Sequence, residues 1–263
     1  MKHNYLLAVL VMAFLTSCST SDDSATPEEP TANNYFPIEN GDFWVYDVNG
    51  DFPGRDSLYI ANDTTINNTP HKKFKTKDLP FGFYSSSLTG NGIRKSGDKL
   101  MVSGAIDIDL IEGFPVDLAV SDFIIFKENA SDNEQLSSIS GSINYQFDEI
   151  PLTFNYTMKS VFAETLASFA VPGHDTYQNV KVIKVIVNLN VGGVVSFQGV
   201  NFPFNVMNSQ DVVVSTQYYA NNVGMVYSTT DIHYELANME IALPIPSTAT
   251  QNIKEYLVNH SGE

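Results

Sequence analysis

From Tyr35 onward the chain alternates apolar and polar residues with a period of two. Trp44, Tyr46 and Val48 alternate with Val45, Asp47 and Asn49. Ile106, Ile108 and Leu110 alternate with Asp107 and Asp109. Val182, Val185, Val187 and Leu189 stand in the run from Val180 to Val191, and Val212, Val214, Thr216 and Tyr218 alternate with Val213, Ser215 and Gln217. A period of two sends neighbouring side chains to opposite faces of a pleated strand, and Val, Ile, Tyr, Phe and Thr fit that surface. The pattern predicts about a dozen strands between Phe43 and Leu243.

Turn chemistry separates these runs. Asn49-Gly50 follows a strand pattern and reads as a two-residue hairpin, since both residue types tolerate positive φ. Asn91-Gly92, Gly97-Asp98 and Gly192-Gly193 read the same way, and Gly199 to Pro203 reads as a less regular break. Helical signals are few. Ser160 to Phe169 has strand-like flanks. Thr248 to Val258 predicts a short C-terminal helix: Thr248 and Gln251 have capping-box spacing, and Ile253, Tyr256 and Leu257 share a helical face. No repeat or boundary interrupts the chain after residue 35. The sequence therefore predicts one all-β domain over residues 35–263, a long curved antiparallel sheet forming a half-barrel or open barrel.

The first 34 residues have a different character. Lys2 and His3 precede an unbroken apolar run from Tyr5 to Leu15. That run is too short for a bilayer core, which takes roughly 20 helical residues. It has the form of a signal peptide, residues 1–17. Leu15-Thr16-Ser17-Cys18 resembles the lipobox of bacterial lipoproteins, in which signal peptidase II cuts before the Cys and the new N-terminus is lipid-modified. Cys18 is the only Cys, so no internal disulfide can form, and lipidation gives the odd thiol a reason. Multiple acyl chains hold a membrane at about 0.8 kcal/mol per buried methylene. Residues 18–34 then read as the lipidated Cys with a solvated acidic linker, carrying Pro27, Glu28, Glu29 and Pro30 and too little apolar surface to fold. Ser19 at the second position resembles an outer-membrane sorting signal. Ser21-Asp22-Asp23 resembles the surface-export signal of Bacteroidota lipoproteins, which favours the cell surface over the periplasmic leaflet.

Charge narrows the partners. The formal net charge is −16, and cleavage before Cys18 removes one lysine and no acid. Such a molecule repels nucleic-acid phosphates and anionic surfaces, so no nucleic acid is expected as a partner. The hydrophobic fraction of 43% supports an ordinary folded core.

Three blocks carry a family resemblance. They are Tyr35-Phe36-Pro37-Ile38 with Gly41-Asp42-Phe43-Trp44-Val45-Tyr46; Val171-Pro172-Gly173 with Tyr177-Gln178-Asn179-Val180-Lys181-Val182; and Tyr218-Tyr219-Ala220 with Val223-Gly224-Met225-Val226. Together they resemble uncharacterised Bacteroidota outer-membrane lipoproteins. The resemblance implies a curved antiparallel sheet of the LolA-like half-barrel kind and implies no reaction. The chain departs from that pattern at His174-Asp175-Thr176. On physical grounds Trp44 and Tyr46 share a strand face and fill a core, while Gly41 and Gly224 allow a bulge or a close backbone approach.

Catalytic signatures are missing. The sequence has no His-Glu-x-x-His, phosphate loop or nucleophile elbow. His174-Asp175 are adjacent on an extended chain and point apart. Asp47-x-Asn49-x-Asp51 lacks the Gly and Glu that a calcium loop needs at its sixth and twelfth positions, where Phe52 and Leu58 stand. Asp107, Asp109 and Glu112 read as a solvated face. Lys73, Lys75 and Lys77 share a face that contacts an anionic glycan or headgroup, or more simply protects a strand edge. Asp23-Ser24-Ala25, Asp56-Ser57-Leu58 and Asp63-Thr64-Thr65 resemble the Bacteroidota O-glycosylation motif. No enzyme, metal or cofactor is expected.

Phe81, Phe83 and Tyr84, together with Phe202 and Phe204, place rings beside turn residues. They are the candidate ligand-binding residues, with core packing as the competing role. The expected function is a lipid-anchored, non-enzymatic binding or structural module. It would hold an apolar ligand or an envelope-protein segment on the concave face of its sheet. A periplasmic lipid or lipoprotein carrier and a surface glycan-binding protein are the alternatives.

Overall fold

A computed structural model describes residues 34–109, 115–147, 150–238 and 245–261. The signal-peptide, Cys18, linker, Asp23-Ser24-Ala25 and Glu112 readings fall outside these residues. The strands are β1 Phe43–Asn49, β2 Gly54–Ile66, β3 Thr69–Thr76, β4 Gly92–Ser96, β5 Lys99–Asp109 and β6 Pro115–Lys127. They continue as β7 Gln135–Phe147, β8 Ile150–Ala170, β9 Thr176–Phe197, β10 Val200–Ala220, β11 Gly224–Glu235 and β12 Thr248–His260. One helix, α1 Phe83–Leu88, lies between β3 and β4. The strands form a single antiparallel sheet, in the order β6-β5-β4-β3-β2-β1-β12-β11-β10-β9-β8-β7, that is nearly closed into a barrel. The all-β expectation holds.

The twelfth strand stands where the sequence predicted a helix. Thr248–His260 pairs with both β1 and β11 and joins the two halves of the sheet. Its inward residues are Ile253, Glu255 and Leu257, so a carboxylate interrupts the apolar alternation and leaves the helical spacing as the stronger signal. Three other readings also change. Asn91 ends the connection from α1 and Gly92 begins β4, so Asn91-Gly92 is not a hairpin turn. Gly50 to Pro53 is a four-residue connection, and Gly192-Gly193 lies inside β9 opposite Asn205 and Phe204. Gly97-Asp98 is a two-residue turn as expected. The turns the pattern missed are Asn67-Asn68, with φ of 49° and 60°, and Gln198-Gly199, with φ of 52° and 81°. Positive φ at both central residues gives the twist a tight hairpin needs. The strand resumes at Val200, so Phe202-Pro203-Phe204 is strand and not a break.

The connections alternate between two ends. Asn34 enters at one end, where its carbonyl accepts from Asn222 N at 2.8 Å in the β10–β11 turn. Aromatic side chains fill this end. Phe36 lies 5.4 Å from Trp44, 6.1 Å from Phe74 and 6.1 Å from Tyr219. Trp44 stacks on Phe74 at 5.8 Å and donates from Nε1 to the Val223 carbonyl at 2.6 Å. Gly224, at φ 103°, lets this pair close, since a Cβ there would stand 3.0 Å from the indole nitrogen. Tyr35 packs against Phe126 at 5.6 Å, under the ammonium of Lys181. The family-like blocks thus converge in space as a plug of the entry end.

At the far end β4 stops short. It pairs with β3 only at Lys72 and Lys73. The segment from α1 to Asn91 takes the vacated place. Phe74 N donates to the Asn91 carbonyl at 3.0 Å, and the Asn91 side chain exchanges hydrogen bonds with the Ala105 backbone at 2.7 and 2.9 Å. The lysine stripe therefore does not guard a free edge: Lys73 donates to the Gly90 carbonyl, and the strand edge beyond it is covered. The outer strands of the sheet are β6 and β7.

Candidate functional site

The far end opens into a cleft of about 760 Å³. Phe83 and Ile253 form its floor with Ile232, while Phe52, Leu79 and Phe81 stand at its rim. The rim side chains are exposed, Leu79 at 89%, Phe52 at 75% and Phe81 at 47%. Ser86 and Thr89 of the α1 segment, Ala105 and Asp107 of β5, and Gln251 of β12 complete most of the wall. The volume falls within the roughly 300–1,000 Å³ of small-molecule sites.

Two buried carboxylates hold the wall that carries Phe81 and Phe83. Asp56 on β2 accepts from Phe81 N at Oδ1 and from Gly82 N at Oδ2, both at 2.9 Å. Glu255 on β12 accepts from Tyr84 N at 2.9 Å and Ser85 N at 3.2 Å, and from Ser228 Oγ at 2.8 Å. These are the amides that open α1 and have no partner within the helix. The short helix lacks a local side-chain cap, so strands distant in sequence supply it. Burial pushes the Glu255 carboxyl up to about 7, opposed by its hydrogen bonds from Tyr84, Ser228 and Ser85. Nearby, the Tyr46 and Tyr84 rings meet edge-on at 5.8 Å, and desolvation holds both phenols well above their ordinary range.

Gly82 makes this cap reachable. A Cβ at that position would lie 2.1 Å from Glu255 Oε1. Gly82→Ala should displace the carboxylate and cost about 1–3 kcal/mol, as overpacking does. Its φ of −87° suits alanine, so backbone strain is not the cause. A urea midpoint equal to that of the parent would refute the cap.

The structure divides the sequence-predicted residues. Phe81 and Phe83 line the cleft. Tyr84 does not; it is fully buried in the interior between Tyr46 and Tyr219. Phe202 and Phe204 lie on β10 and are not among the cleft-lining residues. Phe202 is exposed, and Phe204 packs over Gly193, where a Cβ would meet its ring at 2.4 Å. They form no joint site with Phe81 because the tip of the β9–β10 hairpin carries them. Asp56 of the second motif is committed to the cap. Asp63 of the third motif pairs with Lys72 at 2.7 Å, and Asp47 pairs with Arg55 at 2.6 Å. His174 lies 5.5 Å from the Tyr256 ring. Among the described residues no three His, Cys, Asp or Glu side chains are placed to hold a metal ion.

Sequence reasoning missed Phe52, Leu79, Asp56 and Glu255. The signal for the rim was present in Asp51-Phe52-Pro53 and Asp78-Leu79-Pro80, each a large apolar residue between an acid and a proline in a connection. No family model matches the chain, and neither a curated protein nor a solved structure matches it.

Proposed function

We propose that this chain is a lipid-anchored outer-membrane lipoprotein whose barrel is a non-enzymatic binding module, holding an apolar ligand or partner segment in the far-end cleft. The observation that carries the binding role is the exposure of Phe52, Leu79 and Phe81 around one cavity. Apolar side chains gathered at a concave site are what a ligand covers. The concave face is otherwise filled by side chains and α1, so the ligand is held at the mouth of the barrel and not along the sheet. The anchor rests on the run from Lys2 to Cys18, and the chain joins the barrel at Asn34, at the filled end. This arrangement puts the cleft at the opposite end of the barrel from Asn34. Cell-surface exposure rests on Ser21-Asp22-Asp23, and kinship with the Bacteroidota lipoproteins rests on the three blocks.

Two experiments test this reading. Cys18→Ser should abolish globomycin-sensitive processing and detergent-phase partitioning, because no other thiol can take the lipid. Unchanged partitioning would remove the anchor. For the cleft, N-phenyl-1-naphthylamine should brighten on binding the parent. The double variant Phe52→Ser with Leu79→Ser should weaken binding roughly tenfold, because less apolar surface then leaves water when the probe binds. Its melting temperature should stay within about 2 °C, since exposed side chains add little stability. Equal affinity of parent and variant would sink the assignment of the cleft.

A further inference from the structure

We propose that two copies of this chain associate through β7, antiparallel about a two-fold axis at Gly141, so that residues 138–144 of one copy pair with the same segment of the other. This contact lies along the side of the barrel and is independent of the cleft.

The two outer strands of the sheet differ in how their edges are kept from pairing. β6 carries Pro115, Asp117, Asp122 and Lys127. Asp122 has a φ of 51°, the ladder with β5 shifts register, and the Ile124 carbonyl accepts from Ser160 Oγ. Charges, proline and bulges are how native sheets blunt an edge. β7 has none of these over most of its length. Its 13 residues include no charged side chain, no histidine and no proline, and its ladder with β8 runs without a shift from Ser137 to Phe147. Among the described residues no strand pairs with its other side.

The order of the residues points to a second copy. Ser138-Ile139-Ser140-Gly141-Ser142-Ile143-Asn144 reads nearly the same in both directions about Gly141. Antiparallel pairing centred there sets Ile139 against Ile143, Ser140 against Ser142 and Ser138 against Asn144, each contact made twice, as a two-fold interface requires. The faces then match. Ile139 and Ile143 pair in register with Met158 and Phe154 of β8 and are half-buried, so isoleucine pairs between copies extend an existing apolar layer. Ser138, Ser140, Ser142 and Asn144 are exposed on the opposite face, where Ser140 and Asn144 already bond Thr157 and Thr153 at 2.9 and 3.1 Å. Serine pairs between copies continue that polar ladder. Charge favours the same contact. Each copy carries −16, and an uncharged strand is where two such molecules meet with least repulsion.

Cross-linking of the full chain carrying Cys18→Ser, in a mild non-ionic detergent, tests the register. A mixture of chains bearing Ser140→Cys and chains bearing Ser142→Cys should form a disulfide-linked dimer on gentle oxidation. Residues directly opposed across antiparallel strands stand about 4.5–5.5 Å apart at Cα, within disulfide reach. Either chain alone should stay unlinked, since like positions are then diagonal neighbours roughly 7–8 Å apart. Sedimentation velocity tests the strand itself. The parent should show a monomer–dimer equilibrium. Ser140→Lys with Ser142→Lys should weaken it roughly tenfold or more, by setting lysine against lysine, and Ser140→Lys with Ser142→Glu should restore it, by setting lysine against glutamate. Both serines are exposed, so the melting temperature of each variant should stay within about 2 °C of the parent. A parent that is monomeric from micromolar to submillimolar concentration would overturn the association. Single cysteine variants that cross-link with themselves as readily as the mixture would overturn the register. A dimer unaffected by the paired lysines would overturn the role of β7.

Discussion

Trp44→Ala lowers the free energy of unfolding by about 3–5 kcal/mol, the range of large aromatic truncations in a core. The indole is 1% exposed and sits among Phe36, Phe74 and the Gly224 backbone. Three effects combine. The ring stacking with Phe36 and Phe74 vanishes, a void opens at the entry end, and the Val223 carbonyl is left without the Nε1 donor. The damage spreads because Tyr35-Phe36 is a chain segment and not a strand. It is held by packing on Trp44, Tyr219 and Phe126. Removing Trp44 should therefore loosen the N-terminal plug as well as lower stability, and amide exchange at Phe36 should accelerate. The parent provides a control through its single tryptophan: emission should be blue-shifted and nearly insensitive to iodide. A solvent-like emission maximum, or a destabilisation below about 1 kcal/mol on urea unfolding, would place Trp44 outside the core.

The strands were legible in the sequence wherever the buried face was purely apolar. Trp44, Tyr46 and Val48 announce β1, and Ile106 and Ile108 announce β5, because alternation of polar and apolar side chains follows directly from the pleat. Legibility failed where function or capping puts a polar group on the inward face. Glu255 stands between Ile253 and Leu257 on β12, and Asp56 precedes Leu58 and Ile60 on β2. A carboxylate in an apolar row reads as the exposed side of something else until its partners are known. Those partners are the amides of residues 81, 82, 84 and 85, which lead into and open a helix of six residues that no periodicity could reveal. The cleft was half legible for the same reason. Phe81 and Phe83 attract attention as clustered rings, but a period of two separates their roles only after α1 is known. Phe83 then turns to the cleft floor, and its neighbour Tyr84 turns to the core. The rim residues Phe52 and Leu79 meet Phe81 through the approach of segments that no local spacing encodes.

Unfolding free energy should fall by about 3 kcal/mol as pH rises from about 4.5 to about 7, and Glu255 should be the cause. Its carboxyl titrates near 4.5 in an open chain and is pushed up to about 7 in the fold by burial. Between those values the folded protein holds one proton more than the unfolded chain. Stability contributed by this group is therefore fully present below about pH 4.5 and is lost as pH climbs through about 7. Asp122 and Glu134 act with the opposite sign and in another window. Hydrogen bonds from Arg94 and Lys127 hold their carboxyls below the ordinary range, so their contribution is lost only in more acidic solution. Glu255→Gln should abolish the slope between about pH 5 and pH 8, because glutamine has no proton to release. It should also cost about 1–3 kcal/mol at the acidic end, where its amide group presents a donor to donors already crowding the site. Glu255→Ala should cost more at every pH, since Tyr84 N, Ser85 N and Ser228 Oγ lose their acceptor together. Urea titrations of the parent and both variants across this range decide the matter. A parent whose stability rises or stays level over the window would show that Glu255 is ionised in the fold at about pH 5. A slope that persists in Glu255→Gln would assign the titration to another group. Because Glu255 pins the helix that floors the cleft, both variants should bind N-phenyl-1-naphthylamine more weakly than the parent, Glu255→Ala the more so.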